Sequence, residues 1–135
     1  MGVPGIFRHG GCHVFAECLV QAFRYPLLRV WEIDGDHLHL ACAPEGDVIL
    51  DAVGWFSRLE YLRTDFLEGK KIRFDPTTIE KVRGEYTAED GRGFYSHPSF
   101  MIPCTRRAED WINRHRAHFD GTVREPIDIG GILPP

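Results

Sequence analysis

The chain has 135 residues, 43% of them hydrophobic and 27% charged, which is the composition of one ordinary globular domain. Its formal charge of −4 leaves no basic excess to neutralise phosphates, so the composition argues against nucleic acid as a partner. No apolar stretch reaches the roughly 18 residues that span a bilayer, and the N-terminus lacks the apolar core of a signal peptide. We therefore expect a cytoplasmic protein with no membrane partner, although export by a route that reads no cleavable signal stays compatible with the sequence.

The four cysteines, Cys12, Cys18, Cys42 and Cys104, show no CxxC spacing and stand in no secretory context. They therefore indicate reduced thiols rather than a disulfide framework. No residue pattern points to a cofactor, and the sequence does not fix the oligomeric state.

The first predicted element is an amphipathic helix over residues 12–24. Its apolar side chains recur at helical spacing, while polar side chains take the opposite side. The apolar set consists of Phe15, Ala16, Leu19, Val20 and Phe23. The helix should stop at Tyr25, because a residue that precedes proline avoids the helical region.

Three apolar strands are predicted next, over residues 27–33, 37–43 and 47–53. Short turns at Asp34-Gly35-Asp36 and Pro44-Glu45-Gly46 separate them, so they should form a small antiparallel sheet. The helix that carries Cys12 should pack against this sheet, which makes the expected fold class α+β.

Beyond Gly54 the spacing of apolar residues becomes helical and predicts a helix near residues 56–67. Its inner face would consist of Phe56, Leu59, Leu62 and Phe66. A short strand is expected at residues 70–74, and a further helix should begin at Asp75-Pro76-Thr77.

The C-terminal part is less regular, and residues 87–104 show no periodicity. Thr105 is expected to cap a last helix that runs to about Phe119. Residues 120–135 should form an irregular tail, either draped over the domain or mobile. The expected organisation is therefore one domain over residues 1–119, followed by this tail.

Cys12 is the strongest candidate for a chemically reactive residue. It lies on the apolar face at the start of the first helix, where free N–H groups and the helix dipole lower the pKa of a thiol. Gly10 and Gly11 leave backbone N–H groups able to meet a developing oxyanion. Cys18, in mid-helix, has no such reason to ionise. The alternative for Cys12 is a small buried hydrophobe, the commonest fate of a cysteine.

His39 and Asp51 are predicted to meet across a hairpin. A three-residue loop at residues 44–46, with Gly46 at positive φ, would pair Cys42 with Val48. The same register would pair His39 with Asp51 and bring their Cβ atoms to about 5 Å. A two-residue loop would shift every pair, so the prediction depends on this one turn.

Asp51 stands in an apolar strand, where an unpaired carboxylate would be costly. His39 is the nearest expected partner; the alternatives are that Asp51 caps the following turn or faces water. Trp31 and Trp55 are candidates for the walls of a substrate groove, although tryptophans in small domains often only fill the core. His13 is a weaker base candidate, because it points about 100° away from Cys12 around the helix.

These residues resemble the superfamily of cysteine hydrolases and transferases with papain-like or transglutaminase-like topology, which includes arylamine N-acetyltransferases. The shared order is cysteine at a helix start, then histidine on a strand, then aspartate or asparagine on the next strand. The matching segments are Gly11-Cys12-His13-Val14-Phe15-Ala16, His39-Leu40-Ala41-Cys42 and Ile49-Leu50-Asp51-Ala52-Val53-Gly54.

The resemblance covers residues 10–55 and implies specific roles. Cys12 would be the nucleophile, His39 the general base, and Asp51 the group that orients His39. The oxyanion glutamine of papain-type enzymes has no counterpart in Ile6-Phe7-Arg8-His9, so the backbone N–H of Cys12, next to Gly11, is the expected donor.

Three functions are therefore weighed. The first is a thiol-dependent peptidase, amidase, deamidase or acyltransferase that acts on a peptide, a protein or a small acyl substrate. The second is a metal site built from His37, His39 and Cys42, with Cys12 or His13 nearby. Strand alternation opposes it, because Cys42 points to the opposite face from both histidines. The third is a catalytically silent interaction protein on the same scaffold.

Overall fold

The computed structural model describes residues 12–33, 37–86 and 98–127. In chain order the described elements are α1 (Cys12–Phe23), β1 (Leu27–Glu32), β2 (His37–Cys42), β3 (Val48–Asp51), β4 (Gly54–Ser57), α2 (Arg58–Leu62), β5 (Ile72–Thr77), α3 (Ile79–Tyr86), α4 (Pro98–Arg114) and α5 (Arg116–Phe119). No helix in these residues is long and apolar enough to cross a membrane.

The five strands form one antiparallel sheet in the order β4-β3-β2-β1-β5. Helix α1 packs on β2 and on α4. The predicted α+β class, with an N-terminal helix on a small antiparallel sheet, is confirmed. The first helix and first three strands lie within about two residues of the predicted bounds.

Apolar residues cover both faces of the sheet, because neighbouring strand positions alternate between two clusters. The cluster on the α1 side includes Phe15, Leu19, Leu40, Leu50, Trp111 and Phe119. The cluster on the other side includes Leu28, Val30, Ala41, Ile49, Tyr61 and Leu67. Strands β2 and β3 are therefore buried on both sides.

The predicted register between β2 and β3 is wrong by two residues, since Cys42 pairs with Leu50 rather than Val48. The hairpin turn lies one residue further along the chain, where the Val48 N–H donates to the Glu45 carbonyl at 3.0 Å. Ala43 cannot close the predicted loop because its N–H donates to the Pro26 carbonyl at 2.8 Å. Gly46 does adopt the expected positive φ, at 48°.

A register error of two residues preserves the alternation of side chains between faces. His39 and Asp51 therefore stay on the same face of the sheet, as predicted, although they are not direct partners. His39 lies opposite Val30 on the other neighbouring strand, β1.

The predicted helix over residues 56–67 is mostly wrong. Residues 54–57 form strand β4, where Phe56 pairs with Ile49, and only Arg58–Leu62 is helical. Ser57 fixes the helix start by a capping box with Glu60, in which each side chain accepts from the other residue's backbone N–H. Leu59, assigned to the inner face, is 59% exposed.

The elements after residue 70 also differ from the expectation. Strand β5 runs through Thr77, and Pro76 is tolerated there because β5 is an edge strand. The predicted helix is present as α3, but it begins at Ile79 rather than at Asp75-Pro76-Thr77. Helix α4 begins at Pro98, within the stretch expected to be irregular, so Thr105 does not cap it. Residues 87–97 lie outside the described chain.

Residues 120–127 contain no helix and pack against the turn between β3 and β4. The Ile127 N–H donates to the Val53 carbonyl at 2.6 Å, and Pro126 forms an isolated bridge with Gly54. The Ile127 side chain is 1% exposed. This segment thus covers the turn that follows Asp51; residues 128–135 are not described.

Candidate active site

Cys12 is the first residue of α1, and it is buried. Burial by itself would raise the pKa of its thiol. A hydrogen bond with the His39 side chain, the charge of His39 and the backbone N–H groups of Leu40 and His13 outweigh burial and lower the pKa below its ordinary value. The sulfur is therefore held beside an imidazole and two backbone donors.

The pKa values of the other three thiols are raised rather than lowered. Burial and the charges of Glu109 and Glu17 raise the pKa of Cys18 to about 12. Burial raises the pKa of Cys104 to about 11, and burial followed by the charge of Asp51 raises that of Cys42. All four cysteines are thiols rather than disulfides, and Cys12 alone has its pKa lowered.

His39 connects the thiol to a carboxylate. Its ring is 1% exposed, and burial favours the neutral form. The hydrogen bonds and charges of Asp51 and Cys12 nevertheless raise its pKa to about 9. Phe66 meets the imidazole edge-on, with ring centroids 5.4 Å apart. The charged forms of His39 and Cys12 therefore favour each other, since each shifts the pKa of the other toward its ionised state.

Asp51 ends β3, and both of its carboxylate oxygens are occupied. Oδ1 accepts the Val53 N–H at 2.9 Å. Oδ2 accepts the Tyr61 hydroxyl at 2.8 Å and lies 3.7 Å from Nε2 of His39. Two roles weighed for Asp51 thus occur together, since it caps the following turn and faces His39, whereas the exposed alternative is wrong because the residue is 3% exposed.

The pairing between β2 and β3 is short near Cys12, His39 and Asp51. In the described strands, β2 and β3 form one residue pair, Cys42–Leu50. Strand β3 ends at Asp51, where the chain reverses into β4, and the backbone N–H of Leu40 on β2 helps to lower the pKa of Cys12. The start of α1 can therefore approach the sheet at this point.

Tyr61 is the site residue that sequence reasoning missed. It lies on α2, is fully buried and donates to Asp51. The predicted helix began too early, so the prediction placed Leu59 and Leu62 on the inner face instead of Tyr61. The signal that was available is Ser57 with Glu60, because a capping box at these residues sets the start and the phase of the helix.

The residues proposed for substrate contact are placed differently. Gly11 lies outside the described residues. Trp31 follows Val30, the partner of His39, and the guanidinium groups of Arg29 and Arg73 each lie 5.4 Å from its ring. It therefore stands at the same end of the sheet as His39.

Trp55 lies against other elements. It pairs with Leu50, its indole N–H donates to the His118 carbonyl, and the Arg124 guanidinium lies 4.6 Å from its ring. The structure thus joins Trp55 to α5 and the C-terminal segment. Cys12, His39 and Asp51 are the predicted site residues that it brings together.

A metal site finds little support. No group of three or more His, Cys, Asp or Glu side chains in the described parts of the chain is arranged to hold a metal ion. Cys42 belongs to the cluster on the α1 side, whereas His39 contacts Tyr61 and Phe66 on the other. The side chain of His37 is not described.

No protein-family model, curated protein or solved structure matches the chain.

Proposed function

We propose that the protein is a thiol-dependent hydrolase or acyltransferase that acts on an amide or thioester. Cys12 is the nucleophile, His39 the general base and acid, and Asp51 the group that orients His39. The observation that carries the proposal is the buried placement of His39, whose Nε2 lies 3.7 Å from Oδ2 of Asp51. The contrast among the four buried thiols supports it, because His39 lowers the pKa of Cys12 while the pKa values of the other three are raised. A merely structural cysteine has no need of that partner.

The reaction follows from the proposed roles. The Cys12 thiolate attacks the carbonyl carbon, and the C=O electron pair moves to oxygen. When the intermediate collapses, the bond to the leaving amine or thiol breaks, and the His39 imidazolium supplies its proton. Water or an acceptor amine then gives a proton to His39 and attacks the thioester, which releases the acyl group and restores the thiolate.

The oxyanion needs donors that are not already used by the sulfur. We assign this role to the backbone N–H of Cys12, with Gly11 beside it, at the N-terminal end of α1. The order of helix, histidine strand and aspartate strand supports a papain-like or transglutaminase-like core. No cofactor is needed for these steps.

The surroundings of the site suggest the kind of substrate. Cys12 is 6% exposed, so a small acyl compound or one extended peptide segment suits it better than a folded protein surface. Trp31 is our candidate for a wall of the substrate groove. Four buried thiols also support a reducing compartment, and we propose the cytoplasm.

The first experiment measures alkylation of the intact protein by iodoacetamide at about pH 6, with each cysteine followed by peptide mass spectrometry. We expect Cys12 to react at least about tenfold faster than the other three, because the thiolate is the reactive form. His39→Ala should abolish the difference, while His118→Ala, a histidine on α5, should preserve it. Equal rates at all four cysteines would overturn the proposal, and loss of reactivity in His13→Ala with retention in His39→Ala would move the base role to His13.

A second experiment separates an enzyme from a catalytically silent relative. An activated ester such as p-nitrophenyl acetate should acetylate Cys12. The acetyl adduct should be lost by hydrolysis in buffer, and it should be lost faster when an acceptor amine is added. A reactive Cys12 that alkylates but forms no acyl adduct would favour the silent interaction protein. A stoichiometric zinc signal in elemental analysis would favour the metal site.

A further inference from the structure

Asp51 is buried as a carboxylate whose two oxygens have separate tasks. Oδ1 accepts the Val53 N–H at 2.9 Å, which fixes one end of the group to the backbone. Oδ2 is 3.7 Å from Nε2 of His39, longer than a normal hydrogen bond, and its short contact is with the Tyr61 hydroxyl at 2.8 Å. The direction in which Oδ2 points therefore depends on Tyr61.

The Tyr61 ring is itself held rigidly. Helix α2 is a single short helix whose start is set by Ser57 and Glu60. Phe56 and Phe66 lie against the ring, with centroids 5.5 Å and 5.6 Å away, and the residue is fully buried. A tyrosine has two side-chain torsions, so enclosure by rings fixes the position of its oxygen.

We infer that Tyr61 is a positioning residue, which holds the Asp51 carboxylate in the orientation that faces His39. This inference rests on the proposed function of the Cys12–His39–Asp51 site. Tyr61 has no role as nucleophile, base or acid in the proposed reaction. Its hydroxyl acts through Asp51, and its ring packs near the His39 ring, with centroids 6.4 Å apart.

The physical consequence concerns the charge of the carboxylate. A hydroxyl that donates to a carboxylate stabilises its charged form, and that charge supports the imidazolium of His39. The imidazolium in turn supports the Cys12 thiolate. Without the hydroxyl, Oδ2 loses its short hydrogen bond and the carboxylate is free to turn about the contact with Val53.

Other titratable or charged groups lie around the site and stay unchanged in the test, and Cys42 and Cys104 among them belong to the cluster on the α1 side of the sheet. They are Cys12 and His13 from α1, Cys42 from β2, Cys104 from α4, and Arg29, which lies opposite Leu40 on β1. A change in the Tyr61 hydroxyl alone therefore isolates its own contribution.

The test compares Tyr61→Phe with Tyr25→Phe, a matched control whose hydroxyl donates to the Phe119 carbonyl at 2.6 Å. Two quantities are measured for wild type and both variants: the pH dependence of Cys12 alkylation by iodoacetamide, and the titration of the His39 ring by NMR. We expect Tyr61→Phe to move the acid limb of alkylation to higher pH by about one unit and to lower the pKa of His39. Tyr25→Phe should leave both unchanged.

Profiles for Tyr61→Phe that superimpose on wild type would overturn the inference, and so would a shift to lower pH. Failure of the proposed function looks different, because wild-type Cys12 would then react no faster than the other thiols. The NMR titration of His39 still tests Tyr61 in that event.

A second variant covers the case in which Tyr61→Phe does not fold. Site-specific incorporation of 3-fluorotyrosine at position 61 keeps the ring and makes the hydroxyl a stronger donor. We expect it to move the acid limb of Cys12 alkylation to lower pH, opposite to Tyr61→Phe. An unchanged profile would count against the inference.

Discussion

Nε2 of His39 lies 3.7 Å from Oδ2 of Asp51, although the two residues are not paired in the sheet. The Cys42–Leu50 register, extended by one residue on each strand, places Ala41 opposite Asp51. His39 and Asp51 are therefore diagonal neighbours on one face, a distance that a histidine and an aspartate can bridge.

The first prediction is that Asp51→Asn lowers the pKa of His39 from about 9 and slows Cys12 alkylation near pH 6. Burial favours the neutral imidazole, and the mutation removes the nearby carboxylate charge that opposes burial. A weaker imidazolium supports the Cys12 thiolate less, so the pKa of Cys12 should rise. We expect a fall of at least about tenfold in the alkylation rate, since a rise of one unit in the thiol pKa lowers the thiolate fraction by a factor of ten. NMR titration of the His39 ring and mass spectrometry check the two effects.

Asp47→Asn is the matched control. Asp47 precedes the same strand, its side chain is 89% exposed, and it forms a surface ion pair with Arg58 at 3.7 Å. Such pairs contribute little. A comparable effect of both mutations would show that the site responds to net charge rather than to the contact with His39.

The parts of the fold that follow local patterns could be predicted from the sequence. Helix α1 and the first three strands have clear periodicity and end at Tyr25-Pro26 or at glycine turns. The order of Cys12, His39 and Asp51 along these elements was enough to predict that they converge. Alternation explains why this prediction survived a wrong register, because an error of two residues keeps every side chain on its face.

The parts that depend on tertiary contacts could not be predicted. The Ala43 N–H is taken by Pro26, which is distant in the sequence, and this moves the hairpin turn. Strand β4 was read as helix because Phe56 has helical spacing to later apolar residues, whereas its pairing with Ile49 decides its structure. Tyr61 became a site residue through the same pairing, which shifts the start of α2.

The second prediction concerns the stability of the protein as a function of pH. The pKa of His39 is raised from 6.5 to about 9, so its contribution is fully present below about pH 6.5 and is lost as the pH rises through 9. The pKa of Cys12 is lowered, so its contribution is present above its unfolded value and is lost as the pH falls through the folded value. The unfolded pair, a thiol and a neutral imidazole, holds one proton between about 6.5 and 9. The two slopes cancel over the part of that window in which the native pair is a thiolate and an imidazolium.

Below about pH 6.5 the unfolded chain gains a second proton on His39, whereas the native pair gains one only where its thiolate is protonated. The pair should then lose stability by roughly 1.4 kcal/mol for each pH unit, until the thiolate is protonated. Urea unfolding at several pH values measures this slope. His39→Ala should remove it, and a wild-type slope equal to that of the variant would contradict an ionised pair.

The third prediction concerns Gly54, which follows the turn after Asp51. Its φ is +124°, and an added Cβ would lie 3.0 Å from both the Glu125 carbonyl oxygen and the Pro126 Cα. Gly54→Ala should therefore strain the backbone and push the C-terminal segment away from β4. We expect a loss of about 2–4 kcal/mol in the free energy of unfolding, measured by urea denaturation.

Gly46→Ala provides the comparison for Gly54→Ala, because Gly46 also has a positive φ, +48°, but nothing lies within 4 Å of its added Cβ. Gly46→Ala should lower the free energy of unfolding by only about 1 kcal/mol, which is the cost of placing alanine at a positive φ. The Gly54 variant should also slow Cys12 alkylation, since Gly54 pairs with Asp51 across the β3–β4 hairpin. Equal losses of stability in the two variants would show that close contact with residues 125–126 contributes nothing, and that the turn beside Asp51 holds its shape without the C-terminal segment.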